Sequence, residues 1–245
     1  MSNISSGQFE YELIGNGKTN IVFLNGFRIK YNSWDMIYPT LAKKHKVLLF
    51  NRLGVGSSCR ARIKQTGNVV VEEMHAFLSN IGIRPPYLFV AHSLGGLYAN
   101  LFARTYPDIV SGVVFVDASN PDEIAEQRRL ETPFILRSIN NGIKKLEKVF
   151  DKYRFSEDEA IEETVTQFKN TAPFPDIPVA VVSGTKKMPF VPQQAFEIHQ
   201  RYQTELLGLS TLSKQYICNE SGHFPQITEP EKLISAIVET ANKIV

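Results

Sequence analysis

Cysteine is scarce in this chain, with only Cys59 and Cys218 among 245 residues. Two thiols, one in a loop-like stretch and one in a strand-like one, do not make a disulfide scaffold, and a reduced cytoplasmic protein is expected. No apolar run approaches the roughly 20 residues that a membrane-spanning helix requires. The opening residues Met1 to Gly7 have neither a basic start nor an apolar core, so no secretory signal is expected. An excess of one charge is also missing: 27 Lys and Arg against 25 Asp and Glu leave a net charge of +2. That balance argues against a nucleic-acid partner. Internal repeats and low-complexity tracts are absent. What is present is a chain 43% hydrophobic and 21% charged, enough to bury the core of one large α/β domain or of two small ones.

The stretch Tyr87–Gly96, Tyr-Leu-Phe-Val-Ala-His-Ser-Leu-Gly-Gly, organises the rest. Tyr87 to Val90 is an apolar, strand-forming run introduced by Pro85-Pro86, which cannot continue a preceding helix. Beyond it, Leu97, Tyr98, Leu101 and Phe102 recur at helical spacing until Pro107. Between them Ser93 is flanked by Ala91, Gly95 and Gly96. A sharp strand-to-helix turn with a serine at its tip needs such small neighbours, because strand and helix must approach closely. This is the setting of a nucleophile elbow. It also puts Ser93 at a helix N-terminus, which favours developing negative charge. An ordinary strand–helix turn would satisfy the same small residues, so the wider pattern has to decide.

Elsewhere Ile21–Leu24, Val47–Phe50, Val113–Val116 and Pro178–Val182 read as strands covered on both faces. Helical patterns separate them, with Ser33 leading Trp34, Ile37 and Leu41, then Val69 to Leu78, and later Gln193 to Leu206. Phe9 to Ile14 reads as an edge strand and Gln215 to Cys218 as the last strand. This alternation predicts a doubly wound, mostly parallel sheet in a single domain over 1–245. The rhythm stops between Asn120 and Pro175. There Ile135, Ile139, Ile143, Leu146 and Phe150 form a helical stripe, and Ser156-x-x-Glu159 reads as a capping box for a further helix. A short helical cap is therefore expected over 120–176, inserted after the strand that ends at Asp117. Thr228-x-x-Glu231 reads as the cap of the last helix.

Four motifs stand in order at predicted strand ends: Asn25-Gly26-Phe27, Arg52-x-Gly54-x-Gly56-x-Ser58, Ala91-His92-Ser93-Leu94-Gly95-Gly96 and Ser221-Gly222-His223-Phe224. Together they resemble the α/β-hydrolase superfamily over nearly the whole chain apart from the cap. Three positions depart from it: Asn25 stands where His is commonest, Ala91 where Gly is usual, and no acid follows the strand ending near Ser183.

A serine hydroxyl needs a base, and the resemblance puts that base at His223. His45, His75 and His199 read as surface or packing residues, and His92 as packing the elbow or lining the pocket. The resemblance wants an acid after the strand Val179–Val182, but Gly184 to Pro189 contains none. Asp117 occupies the alternative place used by some members, with Asp122, Glu123 and Glu197 further from a strand end. A turn or helix-cap aspartate is the other reading of Asp117. The backbone N–H groups of Phe27 and Leu94 are the expected oxyanion hole, with Gly26 leaving room for the carbonyl. Asn25, Gly26, His92, Ile139 and Ile143 are the expected pocket residues. Gly54 and Gly56 lack the Lys-Ser/Thr of a phosphate loop, and neither a cofactor nor a metal is expected.

The function expected is a serine hydrolase cleaving a carboxylic ester of a small apolar molecule, with an amide or thioester as alternatives, through an acyl-enzyme. A lyase or a cofactor-free haloperoxidase could use the same scaffold. The rival of another class is a non-hydrolytic ligand-binding or scaffolding relative with a decayed triad, suggested by the missing acid after Ser183. The partner expected is a small-molecule ester, with no nucleic acid and no membrane span.

Overall fold

Apolar runs without alternation become strands sandwiched between helices. The computed structural model describes residues 6–130 and 151–244. The stripe from Ile135 to Phe150, with the expected pocket residues Ile139 and Ile143, lies outside them. Seven strands form one sheet: β1 Tyr11–Ile14, β2 Asn20–Leu24, β3 Lys46–Phe50, β4 Tyr87–His92, β5 Val110–Val116, β6 Val179–Gly184 and β7 Ser213–Cys218. Their order is β1-β3-β2-β4-β5-β6-β7. β1 pairs antiparallel with β3 at the edge, and every other pairing is parallel. The doubly wound, mostly parallel sheet is thus observed.

Successive side chains of each strand go to opposite faces. Val22, Leu24, Leu48, Phe50, Phe89 and Ala91 face one core, covered by α2 (Gly67–Asn80) and α3 (Leu94–Thr105). Ile21, Phe23, Val47, Leu49, Leu88 and Val90 face the other. Trp34 and Ile37, Leu41 of α1 (Tyr38–Leu41) and the C-terminal helix α9 (Pro230–Asn242) cover that side. The helix expected after Ser33 is broken into a 3₁₀ turn, Tyr31–Trp34, and the short α1. Pro39 lies in the first turn of α1, where it brings no N–H and its ring excludes a preceding helical turn.

Between β5 and β6 the described helices are α4 (Pro121–Gln127), α5 (Ser156–Glu159) and α6 (Ile161–Phe168). α6 packs on α2 and α4. The capping box expected at Ser156 does not form. Ser156 is inside α5, and its Oγ accepts the Gln65 N–H at 2.7 Å instead. A capping box does form at Asn120, whose side chain accepts the Asp122 N–H while Glu123 reaches back to the Asn120 N–H. Thr228 likewise caps nothing, because it ends α8 (Pro225–Thr228) and Glu229 precedes α9. α7 (Gln193–Glu205) fills the crossover from β6 to β7. No helix among the described residues is long and apolar enough to cross a membrane.

Candidate active site

The parallel strands deliver Leu24, His92, Val116 and Gly184 to one edge of the sheet, and the loops beyond them build the site. Ser93 follows β4 directly with φ +51° and ψ −124°, conformations that a non-glycine residue adopts only under constraint. The constraint is visible. The Ser93 N–H donates to Val116 O at 3.2 Å, and the Ser93 carbonyl accepts from Gly96 at 2.9 Å and Ser119 at 3.0 Å. Gly95 lets α3 close on β2: a Cβ there would lie 2.5 Å from the Leu24 carbonyl oxygen.

His223 sits in the loop after β7 and touches both partners. Its Nε2 is 2.9 Å from Ser93 Oγ and its Nδ1 is 2.7 Å from Asp117 Oδ2. A carboxylate only accepts, so Nδ1 carries the proton and Nε2 of the neutral ring accepts the serine hydroxyl. Asp117 follows β5, is 3% exposed and has φ +43°. Its Oδ1 accepts the Gly184 N–H at 3.1 Å. Burial by itself would raise the Asp117 pKa. The imidazoles of His199 and His223 outweigh it and hold the carboxyl well below the usual range.

His199, on α7, differs from its expected place on the surface or in plain packing. Its Nδ1 is 2.8 Å from Glu123 Oε1 and its Nε2 is 3.1 Å from Asp117 Oδ2. The second contact lies off the N–H direction, and Nε2 is buried with no hydrogen-bond partner among the described residues. Burial opposes charging this ring, but the two carboxylates outweigh burial and raise its pKa to about 10. No pattern in the sequence ties His199 to Asp117; only the capping box at Asn120 marks Glu123 as a residue with a fixed position.

Asn25 and His92 lie beneath the loops. The Asn25 amide donates to Phe50 O at 2.9 Å and accepts the Trp34 indole N–H at 2.7 Å, so it fixes the turn that presents Gly26 and Phe27. His92 is fully buried. Burial first, then the nearby His223, push its pKa down to about 3, leaving the ring neutral. Its Nε2–H donates to the His223 carbonyl at 2.7 Å and pins the loop that carries His223. Both therefore support the site from below; neither has surface to offer a pocket.

Arg52, unassigned from the sequence, clamps the same turn. Its guanidinium donates to the carbonyls of Asn25 at 2.6 Å and Gly26 at 3.2 Å. It also binds Glu157 of α5 bidentately, at 2.5 and 3.0 Å. Arg28 makes a second tie, donating to Arg154 O at 3.1 Å and lying over the Phe155 ring at 5.1 Å. The turn expected to bear one oxyanion donor, Phe27, is thereby anchored to the segment before β6. Leu94, the other, begins α3, where a helix leaves its N–H groups without intrahelical partners.

The family model described as alpha/beta hydrolase fold matches residues 19–160, more than half of the chain. The pimeloyl-[acyl-carrier protein] methyl ester esterase of Sodalis glossinidius is 33% identical over 113 residues, 45% of this chain and 40% of that protein. The chain spans only 34 to 43% of the length of the first curated relatives it matches. Among solved structures, Cfl2 from Burkholderia cenocepacia is similar at a TM-score of 0.71 and 16% identity, over 94% of this chain and 91% of that one. The enol-lactonase of Burkholderia xenovorans LB400 has a TM-score of 0.69 at 18% identity, over 96% of both chains. At such identities the structures show a shared fold, and the matched residues go further: the chain belongs to the α/β hydrolase fold family.

Proposed function

We propose that this protein is a serine hydrolase that cleaves a carboxylic ester of a small, mainly apolar molecule. The observation that carries the reading is His223 held between Ser93 Oγ at 2.9 Å and Asp117 Oδ2 at 2.7 Å. In this mechanism Ser93 Oγ attacks the ester carbonyl carbon as His223 Nε2 takes its proton. The carbonyl oxygen becomes an oxyanion and is held by the N–H groups of Phe27 and Leu94, each worth roughly 3 kcal/mol in the transition state. Collapse expels the alcohol, which receives the proton from His223. Water then repeats the sequence on the acyl-enzyme and frees Ser93. Asp117 keeps the proton on Nδ1 and stabilises the imidazolium. An ester is favoured over an amide because similar chains include a methyl ester esterase and a lactonase. The rival reading of a decayed triad loses its motive, since an acid lies beside His223 although none follows β6. We further propose one domain, with 120–176 as its cap.

A fluorophosphonate probe tests this reading. It should label Ser93, found by mass spectrometry of the labelled peptide, and Ser93→Ala should lose both labelling and p-nitrophenyl ester hydrolysis while remaining folded. Undiminished hydrolysis by purified Ser93→Ala would refute it.

A further inference from the structure

We propose that Asp117, His199 and His223 form a zinc site, entered from the cavity behind the triad, whose occupation switches the hydrolase off. The claim of inhibition rests on the proposed function; the claim of binding does not.

The three residues present one ligand atom each, all within 4.8 Å of one another. Asp117 Oδ2 lies 2.7 Å from His223 Nδ1 and 3.1 Å from His199 Nε2. Zinc takes nitrogen at about 2.0–2.1 Å and carboxylate oxygen at about 2.0–2.2 Å in a tetrahedron, which separates ligand atoms by about 3.3 Å. Seating the ion would open the Asp117–His223 contact by about 0.6 Å and the Asp117–His199 contact by about 0.2 Å, and would bring the two imidazole nitrogens, which lie within 4.8 Å of each other, to the same separation. Two imidazoles and one carboxylate with a fourth position open suit zinc better than magnesium or calcium, which prefer six or more oxygens.

The surroundings point the same way. A zinc-bound histidine commonly donates its other ring N–H to a carboxylate, which fixes its orientation. His199 has that arrangement: Nδ1 is on Glu123 at 2.8 Å. Its Nε2 is buried, 3.1 Å from Asp117 Oδ2, and without a hydrogen bond among the described residues. The far oxygen of Asp117 is held by the Gly184 N–H at 3.1 Å. Two buried carboxylates, Asp117 and Glu123, thus face the site. All three ligand residues line a cavity of about 300 Å³, which supplies a path and room for a water as fourth ligand. Lys186 lines it too, but its ammonium is drawn away to Glu220.

Binding moves the single proton of the neutral His223 ring from Nδ1 to Nε2 and sends the proton of His199 Nε2 to solvent; nothing is oxidised or reduced. With Nδ1 on the metal, the ring's one proton stands on Nε2, which becomes a donor to Ser93 Oγ. It can no longer accept the serine proton.

The test uses the full chain carrying Ser93→Ala, which retains all three ligands and removes hydrolysis. Titration calorimetry with zinc chloride should show one site per chain of micromolar affinity, and cobalt(II) should give the visible bands of a four-coordinate ion. His199→Gln and, separately, Glu123→Gln in that background should weaken binding at least about tenfold. With the unsubstituted protein, zinc should block fluorophosphonate labelling of Ser93 and a chelator should restore it. No binding in the micromolar range would overturn the proposal, as would binding that neither substitution weakens. Binding as expected in a protein that no fluorophosphonate labels would refute the hydrolase reading and leave the metal site standing.

Discussion

Glu73→Gln should stabilise this protein at alkaline pH and leave it nearly unchanged in acid. Glu73 is on α2, buried at 7% exposure beneath the Arg52–Glu157 pair. Arg52 is committed: two of its N–H groups hold Glu157 and two more contacts hold the carbonyls of Asn25 and Gly26. What Glu73 receives is one long hydrogen bond from Gln65 Nε2 at 3.3 Å. Burial is the main cause that raises its pKa, with the Glu157 charge adding to it against the Gln65 bond, and the result is about 7 in place of 4.5. The folded protein therefore keeps a proton that the unfolded chain loses. Stability is unaffected below about pH 4.5 and falls as pH rises from there through about 7. At 1.36 kcal/mol for each unit of pKa, the full penalty above pH 7 is about 3 kcal/mol.

Glutamine has the shape of the protonated acid and nothing to titrate. Urea unfolding of both proteins at pH 5 and pH 8 isolates the effect, because the other groups that titrate between those values are common to both. The expected gain for Glu73→Gln is about 3 kcal/mol at pH 8 and under about 1 kcal/mol at pH 5. A gain that is the same at both pH values, or a loss at pH 8, would refute a protonated Glu73.

Three further outcomes are expected. Asp117→Asn should keep the fold and lower kcat by roughly 10⁴-fold in p-nitrophenyl ester hydrolysis, by analogy with the serine-protease template; a loss under tenfold would remove Asp117 from the mechanism. Glu157→Gln leaves the buried Arg52 guanidinium without its counter-charge, so urea unfolding should show a loss of about 3–5 kcal/mol. Because Arg52 also holds the carbonyls beside Phe27, kcat of the surviving folded protein should fall more than KM rises. His92 has a folded pKa of about 3 against 6.5 when unfolded, so the unfolded chain binds a proton that the folded one refuses. Stability should therefore fall as pH drops from about 6.5 towards 3, by up to about 5 kcal/mol, and His92→Gln should flatten that acid limb.

The strands were legible because burial on both faces demands unbroken apolar runs, and Ile21–Leu24 or Val113–Val116 can hardly be anything else. Ser93 was legible because crowding at a turn restricts its neighbours to small residues, a local constraint written in consecutive letters. Asp117 was singled out through the resemblance, which offers the end of β5 as the alternative place for an acid when the stretch after β6 has no carboxylate. The rest depends on partners distant in sequence. Arg52 and Glu157 are 105 residues apart, and His199 and Glu123 are 76 apart. Nothing local marks either as a pair. The helix caps failed for a related reason. Ser156 has the spacing of a cap, yet its hydroxyl accepts a more distant donor, the Gln65 N–H, because that N–H is buried and has to be satisfied.

The position of the acid follows from how the His223 loop is supported. At the end of β6, a Cβ on Gly184 would lie 2.0 Å from the Gly222 carbonyl oxygen, so no side chain fits there. The next residues are tied to the same loop: the Thr185 N–H donates to Cys218 O at 3.1 Å and the Lys186 N–H to Ser221 O at 2.8 Å. At this strand end Gly184 has no room for a side chain, and the residues that follow it, Thr185 and Lys186, bring no carboxylate. The carboxylate beside His223 comes from the neighbouring strand. β5 ends at Val116, one strand nearer the serine, and Asp117 reaches His223 Nδ1 only by adopting φ +43°. Residues held in such conformations typically cost about 1–3 kcal/mol each. Ser93, at the end of the adjacent β4, is similarly strained, and the two strand ends hold each other through Ser93 N–H to Val116 O and Ser119 N–H to Ser93 O. Ser93 and Asp117 are therefore strained against one another across a single strand pair, while Gly184 satisfies the far oxygen of Asp117. Loosening either strand end would release both residues together, and His223, hydrogen-bonded to each, would lose its two partners in the same step.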